Sequence, residues 1–325
     1  MATKTLSENI NQAISDFNGI KQAIIDKGVQ VPNGTPTSQY GTKIGEIQSG
    51  GGDTPTTGFV PTAWDNDGYI IEGDYYGTTV PEYYFQYDKI QNIFFDDALI
   101  KIDQYAFYYC SNLELNSLPN GITEIGNVAF RECANLELNS LPAELVNIGE
   151  YAFQNCKKLS LTSLPNGLSS MGQHAFYYCS NLALTFLPEK ITSLENGVFA
   201  FCTNLKLTSL PDGVTRIESE AFYSDTNLSL TSLPNGVTKL GNRCFNACKN
   251  LALTSFPARI TSIGVYAFYG CTKLETITFL GQPNTIATTA FAYCTNITSI
   301  TCPWKKGAVS GSPWGATNAT ITYTG

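Results

Sequence analysis

The sequence predicts a solenoid of stacked 23-residue coils with a ladder of parallel strands, preceded by a short α-helical N-terminal region. Three observations predict it: a phenylalanine recurs at a constant interval, a cysteine follows it by three residues, and a leucine–proline pair returns once per period. Self-similarity at a fixed period of this size is typical of stacked-repeat proteins. The anchoring phenylalanines are Phe107, Phe130, Phe153, Phe176, Phe199, Phe222, Phe245, Phe268 and Phe291.

The composition excludes several classes of function. The 325 residues carry a net charge of −8, and an acidic field disfavours phosphate backbones and anionic membrane surfaces. The sequence contains no run of about 18 apolar residues, so no membrane insertion is expected. The N-terminus lacks the apolar segment of a secretion signal, so no signal peptide is expected. We therefore expect no nucleic acid among the partners and no membrane insertion.

Residues 1–48 are predicted to form a helical attachment and oligomerisation region. Thr5 and Glu8 fit a capping box, and Gly28 stands where a helix C-terminus favours glycine. The apolar seam between them has heptad spacing and predicts a coiled coil of two or three chains. A helix folded against its own neighbour is the alternative, because further isoleucines widen the apolar face. The candidate oligomerisation residues are Leu6, Ile10, Phe17, Ile20 and Ile24.

Residues 49–58 are rich in Gly, Thr and Pro and are predicted to be a linker, followed by an N-terminal cap and degenerate repeat over residues 59–100. Phe85 precedes Phe107 by one position less than a full period, and Asp88 stands where a cysteine would. The many aromatic residues of this stretch are expected to cover the first coil. An aromatic binding patch for sugar or protein is the alternative.

Residues 101–300 are predicted to form nine repeats. Leu113 and Leu115 alternate with Glu114, which predicts a strand in each Leu-x-Leu segment, ended by the proline that follows. Eight cysteines occupy one position of the repeat, which Asp225 takes once. They are expected to be small, buried and reduced side chains. A disulfide or a zinc site is the alternative, but zinc needs four converging ligands.

The repeat resembles the BspA-like leucine-rich repeat. The resemblance is carried by Leu118-Pro119, Ile122, Ile125-Gly126, Ala129-Phe130 and Cys133, and it returns across about 200 residues. In that family the middle strand residue usually stands one place later, as it does here only in Ile277 and Ile300. The strand register therefore stays open, whereas the resemblance implies the leucine-rich repeat fold.

The two ends of the chain look like tail-associated proteins of bacteriophages that infect Gram-positive bacteria. The N-terminal phrase runs from Ala13-Ile14 to Thr37-Ser38, and the closing phrase runs from Pro303-Trp304 to Ile321. This resemblance implies a virion tail protein that is assembled in the host cytoplasm. Residues 301–325 are expected to form a C-terminal cap, with a ligand-binding role for Trp304 and Trp314 as the alternative.

The sequence contains no constellation that predicts catalysis, a metal site or a cofactor. The one histidine, His174, is more typical of a surface residue than of a catalyst. A column of tyrosines follows the anchoring phenylalanines, and tyrosine is favoured in recognition surfaces. Packing between coils is the alternative role for these rings. The partner-binding candidates are Tyr108, Tyr109, Tyr177, Tyr178, Tyr223 and Tyr269.

Together these features predict a non-enzymatic phage tail protein, or one of a related tail-like particle, that uses its solenoid to contact a bacterial cell-surface protein or glycan. The N-terminal helices would attach it to other tail or baseplate proteins. A BspA-like bacterial surface adhesin is one alternative. A tail assembly or scaffold protein without host contact is the other.

Overall fold

The computed structural model describes residues 58–86 and 88–325. They form a parallel β-solenoid of about eleven coils that lie about 23 residues apart along the chain, so the predicted fold class is confirmed. Strands are the regular elements of this part, and it holds no helix long and apolar enough to cross a membrane. The predicted N-terminal helix, with the seam Leu6, Ile10, Phe17, Ile20 and Ile24, lies outside the described residues.

A small sheet begins the described chain. Strands β1 (Gly58–Trp64) and β2 (Ile70–Tyr76) are antiparallel, and β4 (Asn92–Phe95) pairs with β2 in parallel. Between them β3 (Thr79–Val80) pairs in parallel with β5 (Lys101–Ile102). The β3–β5 pair begins a ladder that the later coils continue.

The remaining strands are short and parallel. They are β6 (Glu124–Ile125), β7 (Asn147–Ile148), β8 (Ser170–Met171), β9 (Ser193–Leu194), β10 (Arg216–Ile217), β11 (Lys239–Leu240), β12 (Ser255–Phe256), β13 (Ser262–Ile263), β14 (Thr276–Phe279), β15 (Thr285–Ile286), β16 (Ser299–Cys302) and β17 (Thr320–Tyr323). One side of the solenoid carries two five-stranded ladders, β3-β5-β6-β7-β8 and β9-β10-β11-β13-β15. A third ladder of four strands, β12-β14-β16-β17, lies in the last coils.

The predicted position of the strands is wrong for most coils. The ladder strands end on the second isoleucine of the repeat, as in Glu124–Ile125, and not on the Leu-x-Leu segment. Leu113 and Leu115 are buried and Glu114 is exposed, as the alternation predicts, but the segment forms no strand. Adjacent Leu-x-Leu segments still share backbone hydrogen bonds, as from Ala183 N to Leu161 O at 3.0 Å.

The spacing of buried side chains explains why β14 and β16 of the third ladder are longer than the two-residue strands of the early coils. In the early coils the buried residues Leu115 and Leu118 lie three apart, which breaks the period of two that an extended strand requires. In β14 the buried residues Ile277 and Phe279 lie two apart and alternate with exposed threonines. The departure from the family pattern that is visible in the sequence is therefore the feature that separates the two kinds of coil.

The anchoring phenylalanines form one continuous stack through the core. All nine rings are fully buried, and neighbouring rings lie 5.0–5.8 Å apart and within 15° of parallel. Phe85 extends the stack by one ring, at 5.0 Å from Phe107. Because the rings are stacked from coil to coil, each coil is held by its two neighbours.

The cysteine column is buried, as predicted. Each of its eight thiols donates a hydrogen bond to the carbonyl of a stacked phenylalanine of the preceding coil, at 2.7–3.1 Å. Cys133, for example, donates to Phe107 O at 3.0 Å. Burial raises the pKa of the Cys133 thiol well above its usual range, so the thiol is held in its neutral donor form.

The C-terminal residues add a further partial coil. Strand β17 pairs with β16, and the Phe291 amide donates to Trp314 O at 2.9 Å. The rings of Trp304 and Trp314 are buried and pack edge-on against Phe279, at 5.2 and 6.1 Å. Neither indole ring is therefore open to a ligand.

Candidate functional site: an aromatic stripe

The segment around each anchoring phenylalanine has an unusual backbone that sets the direction of its side chains. Residues two before and two after the phenylalanine have φ near +60°, for example Tyr105 at 56° and Tyr109 at 63°. A residue with a side chain is disfavoured there. Along this segment every second backbone amide points to the next coil. These amides donate to carbonyl oxygens of that coil at 2.8–2.9 Å, in the pairs Tyr105 N to Asn127 O, Phe107 N to Ala129 O and Tyr109 N to Arg131 O.

Side chains flanking the buried phenylalanines form a line of rings across successive coils, which we call the aromatic stripe. Its neighbouring rings have centroids 4.1–5.7 Å apart, and one arginine bridges a gap between two of them. The stripe comprises Tyr83, Tyr105, Tyr108, Tyr109, Arg131, Tyr151, His174, Tyr177, Tyr178, Phe201 and Tyr223.

In the first part of the stripe, the side chain of Arg131 connects the rings of Tyr108 and Tyr151. Tyr108 contacts Tyr105 edge-on at 5.7 Å and Tyr109 at 4.6 Å. The guanidinium of Arg131 lies 5.7 Å from the Tyr108 ring centre and 5.8 Å from that of Tyr151 in the next coil. Cation–π contacts of this kind contribute about 0.5–1 kcal/mol at exposed sites.

His174 continues the stripe rather than standing alone on the surface. Its ring stacks on Tyr151 at 4.9 Å and meets Tyr177 edge-on at 5.1 Å. Gly197 holds the same place in the next coil, and a Cβ there would overlap the imidazole ring. Glycine at this position therefore makes room for His174.

The surroundings of His174 keep its ring neutral. Burial lowers the pKa of His174, and the carboxylates of Glu220 and Glu150 oppose this effect more weakly. No cluster of metal-ligating side chains surrounds it in the described part of the chain. A half-buried neutral ring packed between tyrosines serves as part of the surface.

The central part of the stripe is the most tightly packed. Tyr178 stacks on Phe201 at 4.1 Å and contacts Tyr177 at 4.9 Å, and Tyr223 packs on Phe201 at 5.0 Å. Tyr178 nevertheless keeps 38% of its surface exposed. Tyr178 and Phe201 each cover one face of the other, so this part of the stripe exposes less ring face to solvent than unstacked rings would.

Five of the six predicted tyrosines lie in the stripe. The exception, Tyr269, lies beyond a break at the coil of Phe245, where Arg243, Asn246 and Ala247 replace aromatic residues. There it forms a separate cluster with Tyr266 and Tyr293 at 5.4 and 4.9 Å. The two roles considered for these tyrosines are compatible in this geometry, since rings that pack between coils also remain partly exposed.

Sequence reasoning missed the half of the stripe that precedes each phenylalanine. Tyr83, Tyr105, Tyr151 and His174 each stand two residues before a phenylalanine of the stack. The same 23-residue period, counted backwards from the phenylalanine, would have found them. Phe201 stands in the same column as Tyr109 and Tyr178 but is not a tyrosine, so a criterion based on tyrosine does not include it.

A polar groove runs beside the stripe along the two-residue strands. Its volume is about 380 Å³, and its lining includes Glu124, Asn127 and Glu150. Its floor is glycine, because a Cβ on Gly126 would lie 2.5 Å from the Gln104 amide nitrogen. The polar side chains that line the groove also include the Asp103 carboxyl group and the Ser170 hydroxyl.

The coil period, the phenylalanine stack and the cysteine column define a leucine-rich repeat solenoid. The chain belongs to the BspA-type leucine-rich repeat family, whose repeat region matches residues 78–206 and 198–310. Comparison with curated protein sequences finds no match.

A solved structure shows the same fold. A leucine-rich repeat protein from Bacteroides ovatus is 23% identical, with 87% of this chain and 76% of that one covered and a TM-score of 0.67. Two further bacterial structures match with lower TM-scores. A leucine-rich cell surface protein from Faecalibacterium prausnitzii is 21% identical, with 84% and 94% covered and a TM-score of 0.46. The pneumococcal vaccine antigen PcpA is 19% identical, with 80% and 82% covered and a TM-score of 0.42.

Proposed function

We propose that this chain is a non-enzymatic binding protein of a phage tail or tail-like particle, which contacts the bacterial cell surface through the aromatic stripe. The single observation that carries the binding role is the stripe itself. It presents tyrosine rings on successive coils of a rigid scaffold, and rigid tyrosines bind at a low cost in conformational entropy.

The packing of the stripe favours a protein partner over a glycan. A sugar ring that stacks on an aromatic residue needs a free ring face. Stacking leaves fewer free faces, because Tyr178 and Phe201 each cover one face of the other at 4.1 Å, and Tyr105 and Tyr83 do so at 4.7 Å. Ring edges and hydroxyl groups suit the mixed apolar and hydrogen-bonding contacts of a protein interface.

The charge distribution along the solenoid suggests the character of that partner. Residues 59–200 contain 17 acidic and 6 basic residues, whereas residues 201–325 contain 5 acidic and 9 basic residues. Most of the stripe lies in the acidic half. We therefore expect a partner that presents basic groups to this half, with association that weakens as salt rises.

The tail location rests on the resemblance of the two ends to phage tail proteins. The N-terminal region would attach the chain to other tail or baseplate proteins as a dimer or trimer. Light scattering on the full chain and on a Leu6→Asp/Phe17→Asp variant tests this: association in the first and its loss in the second is the expected result.

Binding of the full-length chain to a panel of intact Gram-positive cells tests the proposed function. We expect the Tyr177→Ala/Tyr178→Ala variant to bind at least tenfold more weakly, since buried tyrosine anchors commonly contribute more than about 1 kcal/mol each. Phe186→Ser is the matched control, because Phe186 is an exposed aromatic residue outside the stripe, 48% exposed.

Unchanged binding by a folded double variant would contradict the role of the stripe. Binding to isolated tail components without binding to any cell would favour the scaffold alternative. Detection of the chain on bacterial cells that carry no phage genes would favour the adhesin alternative.

A further inference from the structure

One coil of the cysteine column carries a carboxyl group instead of a thiol. Asp225 stands three residues after Phe222, where every other regular coil has cysteine. Its side chain is fully buried, and neither carboxyl oxygen accepts a hydrogen bond of normal geometry from the described residues. An ionised carboxylate without a partner is among the most unfavourable groups to bury in a protein.

The neighbouring coils show which carbonyl oxygen accepts a hydrogen bond from this position of the repeat. Cys202 donates to Phe176 O at 3.1 Å, and Cys248 donates to Phe222 O at 3.0 Å. In the same register, the carbonyl oxygen that corresponds to the side chain of Asp225 is Phe199 O. A carboxylate cannot donate, whereas a protonated carboxyl group carries one O–H donor.

The phenylalanine stack is widest at this place. The centroids of Phe199 and Phe222 are 5.8 Å apart and their planes differ by 15°, whereas the preceding pair Phe176–Phe199 lies at 5.7 Å and 10° and the following pair Phe222–Phe245 lies at 5.4 Å and 8°. Among the described residues, the titratable groups that face Asp225 are the neutral thiols of Cys202 and Cys248 in the flanking coils. Burial raises the pKa of Asp225, and the backbone amide of Cys202 opposes this effect more weakly. No described cation forms an ion pair with Asp225.

We propose that Asp225 is folded as a neutral carboxylic acid that donates its proton to Phe199 O, and that release of this proton to solvent opens the solenoid at this coil. The O–H bond then breaks, the proton passes to water, and a buried carboxylate is left facing a carbonyl oxygen. The opened coil exposes the carboxylate to water.

This device also reaches the stripe, a consequence that rests on the proposed function. Tyr223 lies two residues before Asp225 and packs on Phe201 at 5.0 Å. An opened coil would displace Tyr223, so partner binding should weaken as pH rises. The proton linkage itself does not depend on what the stripe binds.

Thiol labelling in the full-length protein tests the linkage locally. The fraction of time that Cys202 and Cys248 are exposed is measured between pH 5 and 8 with iodoacetamide and mass spectrometry, and corrected with the rates of the unfolded chain. We expect the exposed fraction to rise about tenfold per pH unit at these two thiols, because one proton is released on opening. Distant Cys133 should show no such rise.

Asp225→Asn is the matched variant, because its amide can donate to Phe199 O and does not titrate. It should abolish the pH dependence, and Asp225→Cys, which restores the cysteine column, should do the same. Infrared spectra at pH 7 should contain a carboxylic-acid carbonyl band that the Asp225→Asn variant lacks. The absence of this band, or an equal rise at Cys133, would overturn the proposal. A stripe variant that keeps its binding while the labelling result holds would refute only the proposed function.

Discussion

Removal of one ring from the phenylalanine stack is the sharpest test of how the solenoid is held together. Phe176 is fully buried and lies between Phe153 at 5.4 Å and Phe199 at 5.7 Å. Phe176→Ala removes a buried ring and leaves a cavity between two coils. Changes of this kind lower the free energy of unfolding by about 3–5 kcal/mol.

Two features of the structure support a loss of free energy of unfolding within that range. The ring takes part in two stacked pairs, each contributing about 0.5–1.5 kcal/mol beyond its buried area. The backbone on both sides is joined to its neighbours by hydrogen bonds, as from Phe176 N to Val198 O at 2.9 Å, so the coil cannot easily collapse into the cavity. We expect a loss of about 4 kcal/mol.

Urea unfolding followed by circular dichroism measures the effect. The control is Phe186→Ser, because Phe186 is 48% exposed and its counterparts in the two flanking coils are Ser163 and Ser209. We expect this control to change the free energy of unfolding by no more than about 0.5 kcal/mol. Equal effects of the two substitutions, or a loss below about 1 kcal/mol for Phe176→Ala, would refute the view that the stack holds the coils together.

Four further outcomes are expected. Gly149→Ala should destabilise the chain by more than about 2 kcal/mol in urea unfolding, because its Cβ would lie 2.5 Å from Asn127 N, whereas Gly167→Ala, with 3.5 Å to its nearest atom, should have a small effect. Burial raises the pKa of Cys302 to about 11, so iodoacetamide at pH 8 should label it, like the buried thiols remote from Asp225, only after unfolding; rapid labelling of the folded chain would contradict this. Because burial lowers the pKa of His174, the contribution of the neutral ring to stability is present above pH 6.5 and is lost as pH falls through the folded-state pKa. His174→Phe keeps an aromatic ring that does not titrate, so it should reduce the change in melting temperature between pH 7 and pH 5. Association with a partner should weaken between about 50 and 500 mM salt if basic groups meet the acidic half, and Glu132→Gln/Glu150→Gln should reduce that salt dependence.

The sequence by itself determined the period, the contents of the core and the family. Identical coils can bury a common face only if equivalent residues stack, so a phenylalanine at the same place in every repeat had to become a column. The same reasoning placed the cysteines inside, where the structure finds them donating to carbonyls such as Phe107 O. The helical seam of residues 1–48 remains a prediction.

Only the tertiary structure decided where the strands lie and which rings meet. A strand requires hydrogen-bond partners in the neighbouring coil, and the pairing of Glu124–Ile125 with Asn147–Ile148 cannot be read from the alternation within one repeat. The positive φ at Tyr178 is likewise imposed by hydrogen bonds to the next coil, and it brings the ring onto Phe201, its equivalent in that coil. The period is visible along the sequence, whereas strand register and ring contacts depend on how neighbouring coils pack against each other.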